Sequence, residues 1–448
     1  MPPQKIQTHL PEDIPVSWSG KACIEKLPIT KNLLDIVNDE QLRVLVQEAI
    51  DNNPNLNATA HRLRAAAFLL NGSRSRLLPK VNGEFSEGHD NHGVDAVTGK
   101  NRVTHSHRIS LGISWEIDLW GRLADEYNGS KQDVLAKEQE YLLARDVLAA
   151  RVIQTWINTI GLKHSVEIEQ ERLAVLKHIQ NVLIKRYKNG LGNLDEISTA
   201  AGRVEIAKAD VSGQQTAFLR EKRTMELLLG RYPQGELSAQ GRLPQVLSPP
   251  VHRPATVLLH RPDILAALAR VESARLLADS AEKARFPQLN LSGQLFRETS
   301  HLSNLGNATS YWNILGSLLQ PIFDGGRLKA AAQAGQSEFL ASVMDLRATI
   351  MQAIQEVENG FELERDFEAQ IRALTIAVRK SDQSSRYYTQ RYRQGLDTIQ
   401  NLLIAREQEM AVKSRLNQMV TGRLSNRIDL ALALGVGLAD SRNSRQEL

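Results

Sequence analysis

Residues 109–119 read ISLGISWEIDL, and every second residue of this stretch is apolar while those between are small or polar. Successive side chains of a β-strand point to opposite faces, so the pattern predicts a strand with one apolar and one polar face. A strand that crosses a membrane has about 9–11 residues, which this stretch matches. A soluble antiparallel sheet shows the same alternation, so the stretch alone leaves both interpretations open.

Two regions of the chain predict hairpins of such strands. They lie at 80–119 and 288–323, and each has a polar loop in its middle, at about 88–105 and 298–310. Tryptophan and tyrosine collect at membrane–water interfaces. The aromatic residues predicted to form such belts are Trp115, Trp120, Tyr311, Trp312 and Phe323.

Long stretches without proline adjoin both hairpins. None of the 15 prolines lies between Pro79 and Pro233 or after Pro321, and proline breaks helix interiors. We therefore predict very long helices over 121–188 and 326–391, each roughly 100 Å long at about 1.5 Å per residue. The other predicted helices are 38–79, 193–230, 258–286 and 397–432.

The sequence also repeats itself at long range. Residues 53–56 match 261–264 at an offset of 208, and residues 186–191 match 391–396 at an offset of 205. Each half then predicts a helix, a strand hairpin, a very long helix, a glycine turn and another helix. The predicted division is an N-terminal extended segment at 1–37, a first repeat at 38–230, a linker at 231–257, a second repeat at 258–435 and a C-terminal tail at 436–448.

The composition excludes several classes of protein. The net charge is only +4, with 55 basic and 51 acidic residues interspersed, whereas nucleic-acid binders concentrate positive charge on one face. No apolar run approaches the roughly 18 residues of a membrane-spanning helix, so membrane entry would require a β-barrel. Cys23 is the single cysteine, so an internal disulfide is excluded. The first 15 residues lack a signal pattern, and we expect a mature or trimmed chain.

Two hairpins supply four strands per chain, which is too few to close a barrel. Membrane barrels have eight or more strands, so the chain is predicted to oligomerise. A dimer would give eight strands around an interior filled by side chains. A trimer would give twelve strands around an open lumen, so a transport function favours three chains.

Four sequence motifs resemble those of the TolC-like outer-membrane efflux protein family. They are WEIDLWGR at 115–122, LLHRPDI at 258–264, RFP at 285–287 and QPIFDGGR at 320–327. The chain is most similar to the branch that serves resistance-nodulation-division pumps, the nodulation-protein-T type lipoproteins. The resemblance covers about residues 42–435.

This resemblance implies a fold and a function. The fold is a mixed α and β membrane protein, a homotrimer with a 12-stranded β-barrel in the bacterial outer membrane and a 12-helix α-barrel in the periplasm. Its partners are a periplasmic adaptor (membrane fusion) protein and an inner-membrane pump, and the channel passively conducts drugs or other small molecules without a cofactor or catalysis. The alternatives are a type I secretion factor that exports polypeptides and, as a weaker one, a soluble coiled-coil scaffold.

The chain departs from the branch near its N-terminus. Branch members carry a lipidated N-terminal cysteine, but residues 19–22 before Cys23 do not form an apolar lipidation signal. We interpret Cys23 as an ordinary residue, and lipidation of a precursor stays open.

The inner end of the tube is predicted to carry both the docking surface and the gate. Turns at Gly190, Gly192 and Gly395 join the long helices, since glycine adopts positive φ at little cost, and they mark the adaptor-docking tip. The residues predicted to line the gate are Asp397, Gln400, Asn401 and Ile404, with Asp195 and Glu196 from the first repeat.

Spacing and resemblance both contribute to this gate prediction. Positions three or four apart share one helix face, and a threefold axis turns each into a ring. The resemblance implies gating aspartates at the positions of Asn401 or Ile404 and an apolar ring at that of Gln400, so this chain departs from the pattern. We expect Ile404 to close the pore by apolar contact and dewetting, with Asp195, Glu196 and Asp397 favouring cations at the entrance.

A group of metal-ligating residue types lies in the first predicted hairpin loop. It comprises His89, Asp90, His92, His105 and His107. Imidazole suits zinc and copper, but the spacing matches no standard zinc pattern. We therefore predict a solvated loop with no metal, and no enzymatic site anywhere in the chain.

Overall fold

The structure, a computed structural model, describes residues 17–18, 32–37, 39–94, 101–238, 243–249 and 254–438. Most of the predicted N-terminal segment 1–37, including Cys23, lies outside these residues, as does the tail beyond 438. Among the described residues, no helix combines the length and the apolar character needed to cross a membrane.

The described chain contains nine α-helices, one 3₁₀ helix and four strands. In chain order they are α1 (Leu33–Ile36), α2 (Glu40–Asn52), α3 (Pro54–Ser75), β1 (Lys80–Val94), β2 (Asn101–Ile117), α4 (Arg122–Lys188), α5 (Leu194–Leu228), α6 (Pro254–His260), α7 (Pro262–Lys283), β3 (Gln288–Thr299), the 3₁₀ helix (Leu302–Asn307), β4 (Ser310–Leu319), α8 (Arg327–Arg393) and α9 (Ile399–Ala433).

The internal repeat is present in the order and lengths of the helices. Helices α3 and α7 each have 22 residues, α4 and α8 each have 67, and α5 and α9 each have 35. A strand hairpin separates the first and second helix of each set.

Two of the predicted helices are divided. The helix predicted at 38–79 is broken between α2 and α3 at Asn53-Pro54, and the one predicted at 258–286 is broken between α6 and α7 at Arg261-Pro262. Helix α6 begins at Pro254, inside the predicted linker. The breaks arise because proline lacks an N–H donor and disfavours helical φ/ψ in the residue before it.

The residues at these two breaks make equivalent contacts. Asn53 Nδ2 donates to the carbonyl oxygen of Leu228, the last residue of α5, at 2.9 Å. Arg261 Nη1 donates to that of Ala433, the last residue of α9, also at 2.9 Å. Helix C-termini leave carbonyl groups without intrahelical partners, so both repeats use the residue before proline to satisfy one.

The chain divides into two compact units. The first comprises Met1–Ala60, Glu140–Ile264 and Thr349–Leu448, and the second comprises His61–Gln139 and Leu265–Ala348. In the first unit, Trp156 lies in the centre of an apolar core and is 1% exposed. The core residues that surround it come from α1, α2, α4, α5 and α9, and include Ile36, Val46, Ile153, Met225 and Ile428.

The second unit contains an antiparallel sheet with the order β1-β2-β3-β4. The first hairpin is longer than predicted: strand pairing continues through Gly88, opposite Ser106, to Asn91, opposite Val103. Strands β1 and β2 therefore cover most of the predicted loop 88–105. The β-branched residues Val103 and Thr104 favour an extended backbone. The polar composition of the stretch nevertheless led to the prediction of a loop.

Candidate functional site

One face of the sheet is apolar across all four strands as far as Phe85 and Ile109, and nearer the first hairpin turn the same face carries Glu87, His89, His105 and His107. Leu111 of β2 lies opposite Leu295 of β3, which lies opposite Trp312 of β4. The other large apolar side chains on this face are all exposed in the single chain: Val81, Phe85, Ile109, Ile113, Trp115, Leu291 and Ile314. So large an exposed apolar surface marks a contact with lipid or protein.

The opposite face is polar and carries one cationic–aromatic ladder. The guanidinium of Arg108 lies 4.0 Å above the ring of Phe296 and donates to Gln294 Oε1 at 2.9 Å. Phe296 in turn stacks on Tyr311, with 5.5 Å between ring centroids. The sheet therefore has the two-sided character of a wall between an apolar and an aqueous medium.

The predicted aromatic belt is only partly a feature of the apolar face. Trp115 and Trp312 lie on it, but Tyr311 lies on the polar face, because neighbouring strand residues point in opposite directions. Trp120 and Phe323 lie outside the strands. Trp120 instead donates its indole N–H to the carbonyl oxygen of Pro287 at 2.7 Å.

The two tight turns that join the paired helices have the same backbone geometry. Gly190 and Gly395 both have φ of 72°, the left-handed conformation that favours glycine after a helix. The next residue in each turn, Leu191 or Leu396, donates its N–H back into the preceding helix at 2.9 Å. Gly192 lies in the first of these turns but does not have a positive φ.

An arginine supports each turn in a way that we did not predict. Arg186 Nη2 donates to the carbonyl oxygen of Leu191 at 3.4 Å, and Arg391 Nη2 donates to that of Leu396 at 3.0 Å. The repeated sequence could have indicated this support, because in both halves an arginine lies five residues before the leucine of the turn.

Asp397 does not lie on the helix face on which it was predicted to lie. Helix α9 begins at Ile399 with Thr398 as its N-cap, so Asp397 precedes the helix. Its carboxylate accepts hydrogen bonds from Asn401 Nδ2 at 2.8 Å and Arg391 Nε at 3.2 Å. The Asn401 amide, then the Thr398 N–H and Arg391, hold the pKa of Asp397 below its ordinary value. Its charge is thus already paired within the chain.

Three other predicted gate residues share an exposed face of α9. Gln400, Asn401 and Ile404 are exposed, and Ile404 is 54% exposed. The opposite face, with Ile399, Leu402 and Leu403, is buried in an apolar cluster with α4 and α5.

The first repeat contributes the two predicted acidic residues. Asp195 and Glu196 lie in the first turn of α5, where Asp195 is exposed and Glu196 half-buried.

The histidine-rich group of the first hairpin lies on paired strands, and not in the predicted solvated loop. His89 is directly opposite His105, while Asp90 is opposite Thr104 and so projects from the other face. The side chain of His92 lies outside the described set. Across the described residues, no group of three or more ligand-type side chains is arranged to hold a metal ion.

Repeated helix–hairpin–helix units, a two-faced sheet and glycine-turned helix pairs together define an outer-membrane export channel. The family model described as outer membrane efflux protein matches residues 45–231 and 254–436, one segment for each repeat. The chain therefore belongs to the outer membrane efflux protein family. It is an outer-membrane channel component of an efflux system and extends into the periplasm.

Several characterised proteins resemble the chain along most of its length. Outer membrane protein OprJ of Pseudomonas aeruginosa is 27% identical over 95% of this chain and 91% of its own. Cation efflux system protein CusC of Escherichia coli (strain K12) is 26% identical over 89% and 87%. Toluene efflux pump outer membrane protein TtgC of Pseudomonas putida is 26% identical over 89% and 84%.

Solved channel structures have the same fold. The outer-membrane channel OprN superposes with a TM-score of 0.88 at 22% identity, covering 95% of this chain and 97% of its own. The open state of the Neisseria gonorrhoeae MtrE channel superposes with a TM-score of 0.86 at 23% identity, covering 97% and 98%.

Proposed function

We propose that three copies of the chain assemble into a 12-stranded β-barrel continued by a 12-helix tube. The observation that carries this proposal is the open sheet: β1 and β4 each have a neighbour on one side only. An open strand edge presents unpaired N–H and C=O groups, and in lipid each such group costs several kcal/mol. Pairing β4 with β1 of the next copy satisfies both edges, and three copies leave a lumen.

The two faces of the sheet assign inside and outside. The face with Leu111, Leu295 and Trp312 contacts lipid, and the face with Arg108 and Gln294 lines a water-filled lumen. Strands of membrane barrels alternate in this way. The channel then acts as a passive conduit in which no bond is made or broken.

The periplasmic gate consists of rings of Gln400 and Ile404 from α9. Three Ile404 side chains, each exposed over half its surface in one chain, meet at the axis and close the pore by dewetting. Asp195 and Glu196 give the entrance a preference for cations. Asp397 and Asn401 hold the N-terminus of α9 in place and so position Gln400 and Ile404.

The turns at Gly190 and Gly395 dock a periplasmic adaptor, which connects the channel to an inner-membrane pump of the resistance-nodulation-division type. The cargo is small molecules. The names of CusC and TtgC, for cations and toluene, support a small solute over a polypeptide. Secretion of a polypeptide by a type I system is the alternative.

Complementation separates the two kinds of cargo. A host that lacks its own export channels receives this chain together with either a resistance-nodulation-division pump and adaptor or a type I pump and adaptor. We expect dye efflux to return with the first set and polypeptide secretion to stay absent with the second. Restored secretion without dye efflux would overturn the assignment of cargo.

A further inference from the structure

The first hairpin brings two histidines together from positions 16 residues apart in sequence. His89 on β1 and His105 on β2 are directly paired across the ladder. Their Nδ1 atoms are 2.5 Å apart, and the rings are nearly perpendicular, with 4.6 Å between centroids. Two neutral imidazoles cannot both direct lone pairs at each other at this distance, so a proton lies between them, and a metal ion could replace it only if the two nitrogens moved apart.

A carboxylate lies on the far side of one of these rings. Glu87 Oε1 is 3.2 Å from His89 Nε2, so it accepts the Nε2–H and leaves the Nδ1 of His89 as a lone-pair donor facing His105. Histidines that bind metals almost always donate their other ring N–H to a carboxylate, a carbonyl or water. The arrangement at His89 is thus that of a metal ligand with its orienting partner.

We propose that His89 and His105 form a two-ligand site for a divalent transition-metal ion of the zinc and copper class. Imidazole nitrogen suits these ions, and Glu87 is a positioning residue that fixes the tautomer of His89. The ion would complete its coordination shell from solvent, because the pair lies nearer the hairpin turn than the apolar part of its face and no third ligand-type side chain among the described residues joins it.

The metal-bound geometry requires only a small movement. Nitrogens bind zinc at about 2.0–2.1 Å, so tetrahedral coordination separates two ligand nitrogens by about 3.3 Å. The His89 side chain is 58% exposed, and His105 is also exposed. Both rings therefore have room to rotate apart by the required distance of roughly 1 Å. The bound ion would cross-link β1 and β2.

Zinc titration by calorimetry tests the proposal on the full-length, tag-free protein in detergent. We expect one ion per chain, and at least about tenfold weaker binding in both His89→Gln and His105→Gln. Glu87→Gln should weaken binding by about tenfold with unchanged stoichiometry, because loss of an orienting partner typically costs about 10–100-fold in affinity. His301→Gln, an exposed histidine of the second hairpin, is the matched control and should bind as the wild type does.

Two outcomes would overturn the proposal: no zinc uptake by the wild type, or uptake unaffected by both His89→Gln and His105→Gln. The first would mean that a shared proton links the two rings. Electron paramagnetic resonance of the copper(II)-loaded wild type needs no variant and so does not depend on how the variants fold. Its spectrum should show two equatorial imidazole nitrogens, and one or none would contradict the site.

Discussion

Replacement of Ile404 by serine tests the proposed gate at its central residue. In the proposed closed channel, the surface of Ile404 that is exposed in one chain would be buried against the same residue of two neighbours. Serine removes most of this apolar contact and adds a hydroxyl group that water can solvate. We therefore expect Ile404→Ser to shift the gate toward its open state.

The size of the shift follows from the exposed area. Full burial of an isoleucine side chain contributes about 1.5–3 kcal/mol. Because 54% of Ile404 is exposed in one chain, closure contributes about 1–1.5 kcal/mol per chain, or about 3–5 kcal/mol for three. At about 1.4 kcal/mol per factor of ten, the open-to-closed ratio should rise by roughly two to three and a half powers of ten.

Single-channel recording in planar bilayers measures this ratio through the open probability and conductance. Ile206→Ser is the matched control, because Ile206 is an isoleucine of α5 with 59% exposure that is not among the proposed gate residues. Ile404→Ser should raise both quantities, and Ile206→Ser should raise neither. If Ile404→Ser and Gln400→Ala both record as the wild type does, the gate lies elsewhere.

Three further predictions concern stability, measured by denaturant unfolding in detergent. Arg261 is 7% exposed and bonds to two carboxylates and a helix-ending carbonyl, so Arg261→Met should lower stability by about 3–5 kcal/mol. The equivalent change in the first repeat, Asn53→Ala, should remove only a helix cap and one hydrogen bond and so lower stability by about 2 kcal/mol. Equal losses of stability in the two variants would contradict the stronger role of Arg261 in the second repeat. Gly190→Ala should destabilise the protein by about 1 kcal/mol because the φ of Gly190 is positive. Gly202→Ala, inside α5 with open space around it, should instead stabilise the protein by up to about 1 kcal/mol. If both variants changed stability in the same direction, the left-handed turn at Gly190 would be refuted. Burial opposes the charge of Glu226, but backbone N–H groups outweigh burial and lower its pKa below 4.5, so its contribution is complete above pH 4.5 and is lost as the pH falls through the lowered pKa. Glu226→Gln should abolish that acid-dependent loss of stability. If stability depended on pH in the variant as it does in the wild type, Glu226 would not be its source.

The long elements of this fold could be predicted because their signals are local and strong. Proline-free stretches fix α4 and α8 to within a few residues of their observed ends, and the glycines at 190 and 395 mark the turns. The breaks before Pro54 and Pro262 were foreseeable too, since proline is favoured at the first position of a helix.

The residues whose positions were predicted wrongly are positioned by contacts between segments that are distant in sequence. Tyr311 lies on the polar face because its strand pairs in one particular register with Phe296, and alternation alone does not fix that register. Asp397 was placed on a helix face because its spacing fits, but its hydrogen bonds to Asn401 and Arg391 put it before the helix. The His89–His105 pair likewise depends on strand register.

The mass of the native protein in mild detergent tests the central claim most directly. The open edges of β1 and β4 predict a particle of three chains, whose strand content by circular dichroism stays unchanged on dilution. A particle with the mass of one or two chains and an intact sheet would contradict closure of the barrel by three copies.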